Sequence, residues 1–244
     1  MLRSNRSIRL VLSLAVSALA FPEAASADSI SITNTTYQES QAHDSISSFV
    51  HAQHTLGASA PQWTQTTTAT DSSVYGTSSA TVASVLDQSS FDLSFDFQTF
   101  HRTTNSTWGE SLSRGTIHFM ALEDLQYELS GSIVQSGAGG AHLVQVVRLI
   151  ENATATYFVD QTSSNTATSH GLTGSGLTGA LVAGRTYQLQ FEYRLAHNFY
   201  NQTRTASGDL SLAFTAVPEP ATGLALGMGL LALGVSRRHR PTPS

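Results

Sequence analysis

The residues best placed to do chemistry are carboxylates on an alternating run. In Phe91-Asp-Leu-Ser-Phe-Asp-Phe97, Phe91, Leu93, Phe95 and Phe97 share one face of a strand, and Asp92, Ser94 and Asp96 share the other. A glycosidase needs two carboxyl groups about 5–10 Å apart across the scissile bond. Asp92 and Asp96 are four positions apart, roughly 13 Å at ~3.3 Å per residue, too far to form that pair alone. Asp92 with Glu128 or Glu192 is a conceivable cross-strand pair, but the sequence does not give strand order. Solvated carboxylates on an outer face are the plainer reading.

Other chemistry finds less support. Gly109-Glu-Ser-Leu-Ser113 is the nearest approach to a hydrolase elbow, and it lacks the closing glycine and the following helix. His51 and His54 have a spacing that suits a metal pair on a helix, without the glutamate of a zinc-protease motif and without a neighbouring third ligand. His118, His142 and His197 fall within or beside strands as surface or partly buried neighbours. Trp63, Trp108, Tyr75 and Tyr200 lie in polar surroundings where they could form a sugar-stacking platform, or simply pack the ends of a β core. No EF-hand, phosphate loop or dinucleotide fingerprint is present. The expectation is no catalytic residue, no metal site and no cofactor.

The elements that must carry these residues are strands. Tyr187–Leu195 alternates with Gln188, Gln190, Glu192 and Arg194 outward; Leu125–Leu129 and Leu210–Phe214 repeat the scheme more briefly. Thr116–Leu122, Leu143–Ile150 and Ala155–Val159 read as further strands, with Val74–Leu86 and Ser29–Thr36 as weaker ones. Gln41–Leu56 matches neither period, and Gln62–Ser79, nearly all Thr, Ser, Ala and Gln, fits an exposed strand or a loop. Glycine-bearing turns at 137–140, 171–179 and 183–184 separate the runs. Many strands without interleaved helices predict an all-β, antiparallel, jelly-roll-like β-sandwich over residues 28–216.

Composition narrows the function classes. All 12 basic residues are arginine, and residues 28–217 hold 6 Arg against 15 Asp plus Glu, a formal charge of −9. Nucleic-acid binding needs the opposite sign, and anionic lipid is disfavoured as a docking surface. With no cysteine, a disulfide, a Cys-ligated zinc and a thiol nucleophile are all excluded. Ser and Thr number 63, and Pro61 is the one proline between residues 28 and 216, a mixture suited to strands with hydroxyl-rich outer faces.

The two ends are of different character. Arg3, Arg6 and Arg9 precede an apolar run from Leu10 to Phe21, and Ala25-Ser26-Ala27 offers small residues for cleavage at Ala25 and Ala27. That run spans only ~18 Å as a helix, too short to anchor, so residues 1–27 are read as a signal peptide removed by signal peptidase. From Val217 the chain reads Pro218-Glu219-Pro220, then an uncharged segment 221–235 with Gly223, Leu224, Leu226, Leu230, Leu231 and Leu233, then a basic stop at 236–240 with Arg237, Arg238 and Arg240. Paired prolines break regular structure. The 15 residues of the segment give roughly 22 Å of helix, short against a ~30 Å core, a deficit that snorkelling arginines and local thinning can absorb. The arginines stay cytoplasmic by the positive-inside tendency.

Residues 217–244 resemble the PEP-CTERM sorting signal: the motif Pro218–Pro220, a short hydrophobic helix over 221–235 and the terminal arginines, in that order. The four residues after Arg240 depart slightly from the pattern. The resemblance implies recognition by exosortase, a membrane-embedded cysteine transpeptidase, and anchoring in the inner membrane before transfer to the cell surface or medium. The same tail occurs on proteins of many kinds, some labelled ice-binding, so it speaks of destination rather than activity. Gly174–Leu189 and Leu125–Gly131 loosely resemble strands of the β-rich domains that precede such tails. The resulting expectation is an exported, non-enzymatic cell-surface or matrix protein, with extracellular polysaccharide as a partner. The alternatives are a carbohydrate- or other ligand-binding module, and a secreted hydrolase.

Overall fold

Period-two alternation carries over into two stacked antiparallel sheets. The computed structural model describes residues 29–33, 35–43, 50–57, 59–60, 62–73, 76–101, 109–136, 141–197 and 201–217. Its strands are β1 (Ile30–Ile32), β2 (Tyr37–His43), β3 (Val50–Thr55), β4 (Trp63–Ser73), β5 (Gly76–Leu86), β6 (Ser90–His101), β7 (Gly109–Ala121), β8 (Leu125–Ser136), β9 (His142–Glu151), β10 (Thr156–Asn165), β11 (Ser169–Gly171), β12 (Thr178–Leu181), β13 (Thr186–His197) and β14 (Gln202–Ala216). The first sheet runs β10-β9-β13-β7-β2-β3, with β1 also paired to β7. The second runs β11-β8-β14-β6-β5-β4, with β12 also on β8.

The apolar faces of the long central strands turn inward. Phe91, Phe95 and Phe97 from β6 meet Phe119 of β7 and Tyr187, Phe191 and Tyr193 of β13, all buried. Burying a side chain of this size stabilises the fold by about 1.5–3 kcal/mol. The rings also fit by shape: Phe95 stacks on Tyr193 with centroids 4.1 Å apart, and Phe91 meets Phe119 edge-on at 5.1 Å.

The predicted strands are present, several of them longer than their alternating stretches: β7 begins at Gly109 rather than Thr116, and β14 at Gln202 rather than Leu210. Two unassigned segments are also strands. Gln41–Leu56 contributes the end of β2 and all of β3, and the Thr-rich stretch forms β4, paired in unbroken register with β5 from Trp63↔Leu86 to Ser73↔Gly76. The period of β2 and β4 was hidden because their inward positions are largely polar, and that of β3 because almost all its side chains are exposed at the sheet edge. Gln38 donates to Thr67 Oγ1 at 2.7 Å and accepts from the Ser84 hydroxyl, and Ser40 donates to the Thr67 carbonyl at 2.8 Å. Such groups tolerate burial because they satisfy one another.

Candidate functional site

The outward positions of the second sheet form ladders of small polar side chains. Following the register across β4, β5, β6, β14 and β8, one row reads Thr64, Val85, Asp92, Ser211, Ser130; the next reads Thr66, Ala83, Ser94, Asp209, Ser132; a third reads Thr68, Thr81, Asp96, Ser207, Val134. Neighbouring hydroxyls bond across the strands, as Thr68 does to Thr81 at 3.0 Å. Ser79, Thr81, Asp96, Gln98, Thr205 and Ser207 line an open depression of about 430 Å³ on this face. Each side chain is here because the pleat sends every second residue to solvent, opposite an inward face that is apolar on β6, β8 and β14 and largely polar on β4.

Asp92 and Asp96 are thus solvent-side carboxylates on one strand, and neither of the cross-strand partners considered is brought to Asp92. Glu128 lies beyond the intervening β14 and opposite Ala213, whose other neighbour is Ser90. Glu192 belongs to the other sheet. The residue that sequence reasoning missed is Asp209: it stands opposite Ser94, which makes it diagonal to both Asp92 and Asp96, at roughly 7–8 Å. The alternation Leu210, Leu212, Phe214 continued upstream through Ala206 would have placed it on the same face. These carboxylates are engaged by hydroxyls: Asp92 accepts from Ser211 at 2.6 Å and Ser90 at 2.7 Å, and Asp209 accepts from Ser132 at 2.6 Å.

The remaining candidates are dispersed. Ser111 and Ser113 sit inside β7, with Ser111 donating to the Gln98 carbonyl at 3.0 Å and Ser113 bonded to Ser40 at 3.3 Å. His51 and His54 lie on a strand, where a three-residue separation sends side chains to opposite faces. His51 Nδ1 is 2.9 Å from Glu39. Glu39 also takes Arg114 Nε at 2.9 Å and Gln41 Nε2 at 2.8 Å. Burial pushes its carboxyl up, but these hydrogen bonds and the Arg114 charge together hold it below the ordinary glutamate range. His197 is buried against the Thr99 carbonyl, His142 meets Ser164, and burial pushes His118 down. Among the described residues no group of three or more His, Cys, Asp or Glu could hold a metal ion. Trp63 packs partly buried against the core, whereas Trp108, Tyr75 and Tyr200 lie outside the described residues.

The outer face of the first sheet is different in kind. It carries ion pairs, Arg114 with Glu39 at 2.9 Å, Arg148 with Asp160 at 2.8 Å and Arg194 with Glu110 at 3.6 Å. The pair exposed on both sides, Arg148 with Asp160, contributes about 0–1 kcal/mol, whereas Glu39 and Glu110 are almost fully buried. Every arginine named here is committed to a carboxylate, so this face offers no accumulation of positive charge.

β14 ends at Ala216, and Val217 is tied down immediately after it, its N–H donating to the Asp124 carbonyl at 2.9 Å. A family model described as the PEP-CTERM protein-sorting motif matches residues 216–238. The chain carries a PEP-CTERM sorting motif. That supports an exported protein that exosortase sorts, with the tail as its membrane anchor. The PEP-CTERM segment begins on the last residue of the central strand β14, with no spacer between them. Its signature residues Pro218, Glu219 and Pro220, the leucines of 221–235 and the arginines of 236–240 lie outside the described residues, as do the signal-peptide residues Ala25 and Ala27. No helix among the described residues is long and apolar enough to cross a membrane.

No curated protein matches this chain. Among solved structures it is similar to one titled as infectious bursal disease virus, Gt strain, at 12% identity and a TM-score of 0.25, covering 77% of this chain and 71% of that one. A second, of the Gx strain, gives 11% identity and a TM-score of 0.23, with 75% and 55% covered, so this chain spans about half the length of that protein. Likenesses this slight carry no argument about function.

Proposed function

We propose that this is a non-enzymatic surface or matrix protein. Its signal peptide takes it out of the cytoplasm, its tail holds it at the inner membrane, and exosortase passes it to the cell surface or medium. The outer face of the second sheet is the part that meets extracellular polysaccharide. The observation that carries this reading is the ladder of hydroxyls and carboxylates around Asp96, Asp209 and Thr81, broad and open rather than enclosed. Sugars present a similar density of hydroxyl donors and acceptors, and an extended polymer suits an extended face. Alternation of the chain between sheets at β6 to β7, β8 to β9 and β13 to β14 supports the jelly-roll-like winding expected from the sequence.

The diagonal placing of Asp209 favours one other reading, a glycoside hydrolase of inverting type, whose carboxyls stand ~6.5–9.5 Å apart. Such an enzyme keeps one carboxyl protonated by a desolvated pocket. Here the carboxylates sit on an open face and accept hydrogen bonds from serines, which favours binding over bond cleavage.

The test is intact-mass analysis of membrane, surface and medium fractions from an exosortase-bearing host, followed by co-sedimentation of the released form with that host's polysaccharide. A species running from Asp28 to near Pro218–Pro220 that sediments with the polymer, and generates no new reducing ends, is the expected result. Retention of the full-length chain in the membrane fraction alone removes the sorting step. New reducing ends transfer the case to the hydrolase.

A further inference from the structure

Both ends of the described chain leave from one end of the sandwich. Ser29 accepts the Leu122 N–H at 2.9 Å, and Val217 donates to Asp124 two residues further on. The turns at 87–89, 122–124, 152–155 and 182–185 cluster at this end. Asp124 joins two of them to the exit, because its carboxylate accepts the Ala183 N–H at 2.8 Å while its carbonyl holds Val217. Gly184 N–H donates to the Ala121 carbonyl at 2.8 Å, closing the same group of turns.

Three large apolar side chains project from this cluster: Leu122 is 42% exposed, Val182 46% and Val217 36%. Tyr157, 54% exposed, adjoins the 152–155 turn at the same end. Apolar tips that converge from separate turns are not explained by the core. Charge narrows what could cover them. Arg185 is bound to Glu151 at 2.7 Å, and Asp87, Glu123 and Asp124 lie in the turns of this end, so an anionic surface would be repelled.

Chain length settles where this end stands. From Val217 to Ala221 are four steps of at most ~3.6 Å, or roughly 14 Å fully stretched. The headgroup layer adds only about 5–8 Å on each side of the hydrocarbon core. With 221–235 lodged in the core, Val217 can stand no more than several ångströms above the headgroups, and Leu122 and Val182 share its patch. The far end of β14 is roughly 50 Å away at ~3.4 Å per residue.

We propose that this end of the sandwich, with Leu122, Val182 and Val217 foremost, is a bilayer-contacting surface that seats in the headgroup layer of a zwitterionic membrane while the tail is in place. The proposal rests on the reading of 221–235 as membrane-held. Seating holds the domain upright, with its strands along the membrane normal and the hydroxyl face looking sideways, open to polymer. Three half-exposed side chains are a weaker hold than a single acyl chain, itself a marginal anchor, so cutting the tail frees the domain.

The natural absence of cysteine allows single nitroxide labels on the full chain. Leu122→Cys, Val182→Cys, Val134→Cys and Leu226→Cys are labelled, reconstituted in phosphatidylcholine vesicles, and compared for collision with oxygen and with a water-soluble nickel chelate. The expected result is loss of most of the chelate access at 122 and 182 on reconstitution, with 134 unchanged and 226 the most protected. Labels at 122 and 182 as accessible as 134, with 226 protected, overturn the seating and leave the anchor intact. An accessible 226 overturns the anchor and the seating with it. Protection at 122 and 182 that requires exosortase in the vesicle makes the surface an enzyme contact and overturns the bilayer as its occupant.

Discussion

The Tyr193 hydroxyl crosses the sandwich from β13 to donate to the Asp209 carbonyl on β14, 3.0 Å away, and accepts the Gln145 amide at 2.9 Å. It joins the two sheets beneath the carboxylate of the candidate face, and burial pushes its phenol far above the ordinary tyrosine range. Tyr193→Phe keeps the ring and strands two buried partners, which costs about 1–3 kcal/mol. Chemical denaturation of the domain should show a lower midpoint with an unchanged slope.

The tyrosine has room only because β8 and β14 carry glycines beside it. A Cβ on Gly131 would lie 2.9 Å from both the Asp209 carbonyl oxygen and the Tyr193 hydroxyl. Gly131→Ala is therefore expected to destabilise by about 1–3 kcal/mol through overpacking. Combined with Tyr193→Phe, its cost should be smaller than alone, because one of the two clashing atoms is gone; a double-mutant cycle measures that coupling. Strict additivity would place the strain in the backbone contact.

Glu39 makes the fold sensitive to acid. Its native carboxyl titrates below the ordinary range, so its contribution is complete above the unfolded value. It declines as pH falls through the ordinary glutamate range to the lowered native one. Asp87, held low against burial by Ser89 and Ser90, acts in the same direction. Glu39→Gln should reduce stability at neutral pH and flatten the acid limb of a stability–pH profile. An unaltered acid limb would locate the sensitivity in other groups.

The Asp124 carboxylate holds the 182–185 turn through the Ala183 N–H. Asp124→Ala leaves the carbonyl that binds Val217 but frees the turn, at a cost of roughly 1 kcal/mol for an exposed bond. Hydrogen exchange should quicken at Ala183 more than at Val217. Equal acceleration at both would show that the two turns open as one unit.

Isosteric neutralisation separates binding from structure on the second sheet. Asp96→Asn keeps the shape of the face and removes one charge, and it should leave thermal stability within about 0.5 kcal/mol, as for most surface changes. Loss of polysaccharide co-sedimentation in that variant would make the carboxylate part of recognition. Unchanged binding would assign recognition to the hydroxyls.

The sequence by itself determined the strands whose inward residues are large and apolar, such as Phe91–Phe97 and Tyr187–Leu195, because the pleat converts burial into period two. It also determined the sorting motif, whose parts are contiguous and need no fold to bring them together. It could not reveal β2 and β4, where Gln38, Ser40 and Thr67 occupy inward positions and are tolerated there because they find partners on other strands, Ser84 of β5 among them. Nor could it reveal β3, an edge strand with almost every side chain exposed and so no buried face to show a period. It could not place Asp209 diagonal to both Asp92 and Asp96, or Val217 against the 122–124 turn. Those relations join residues far apart in the chain, and only the order and register of the strands, decided by the packing of whole sheets, brings them together.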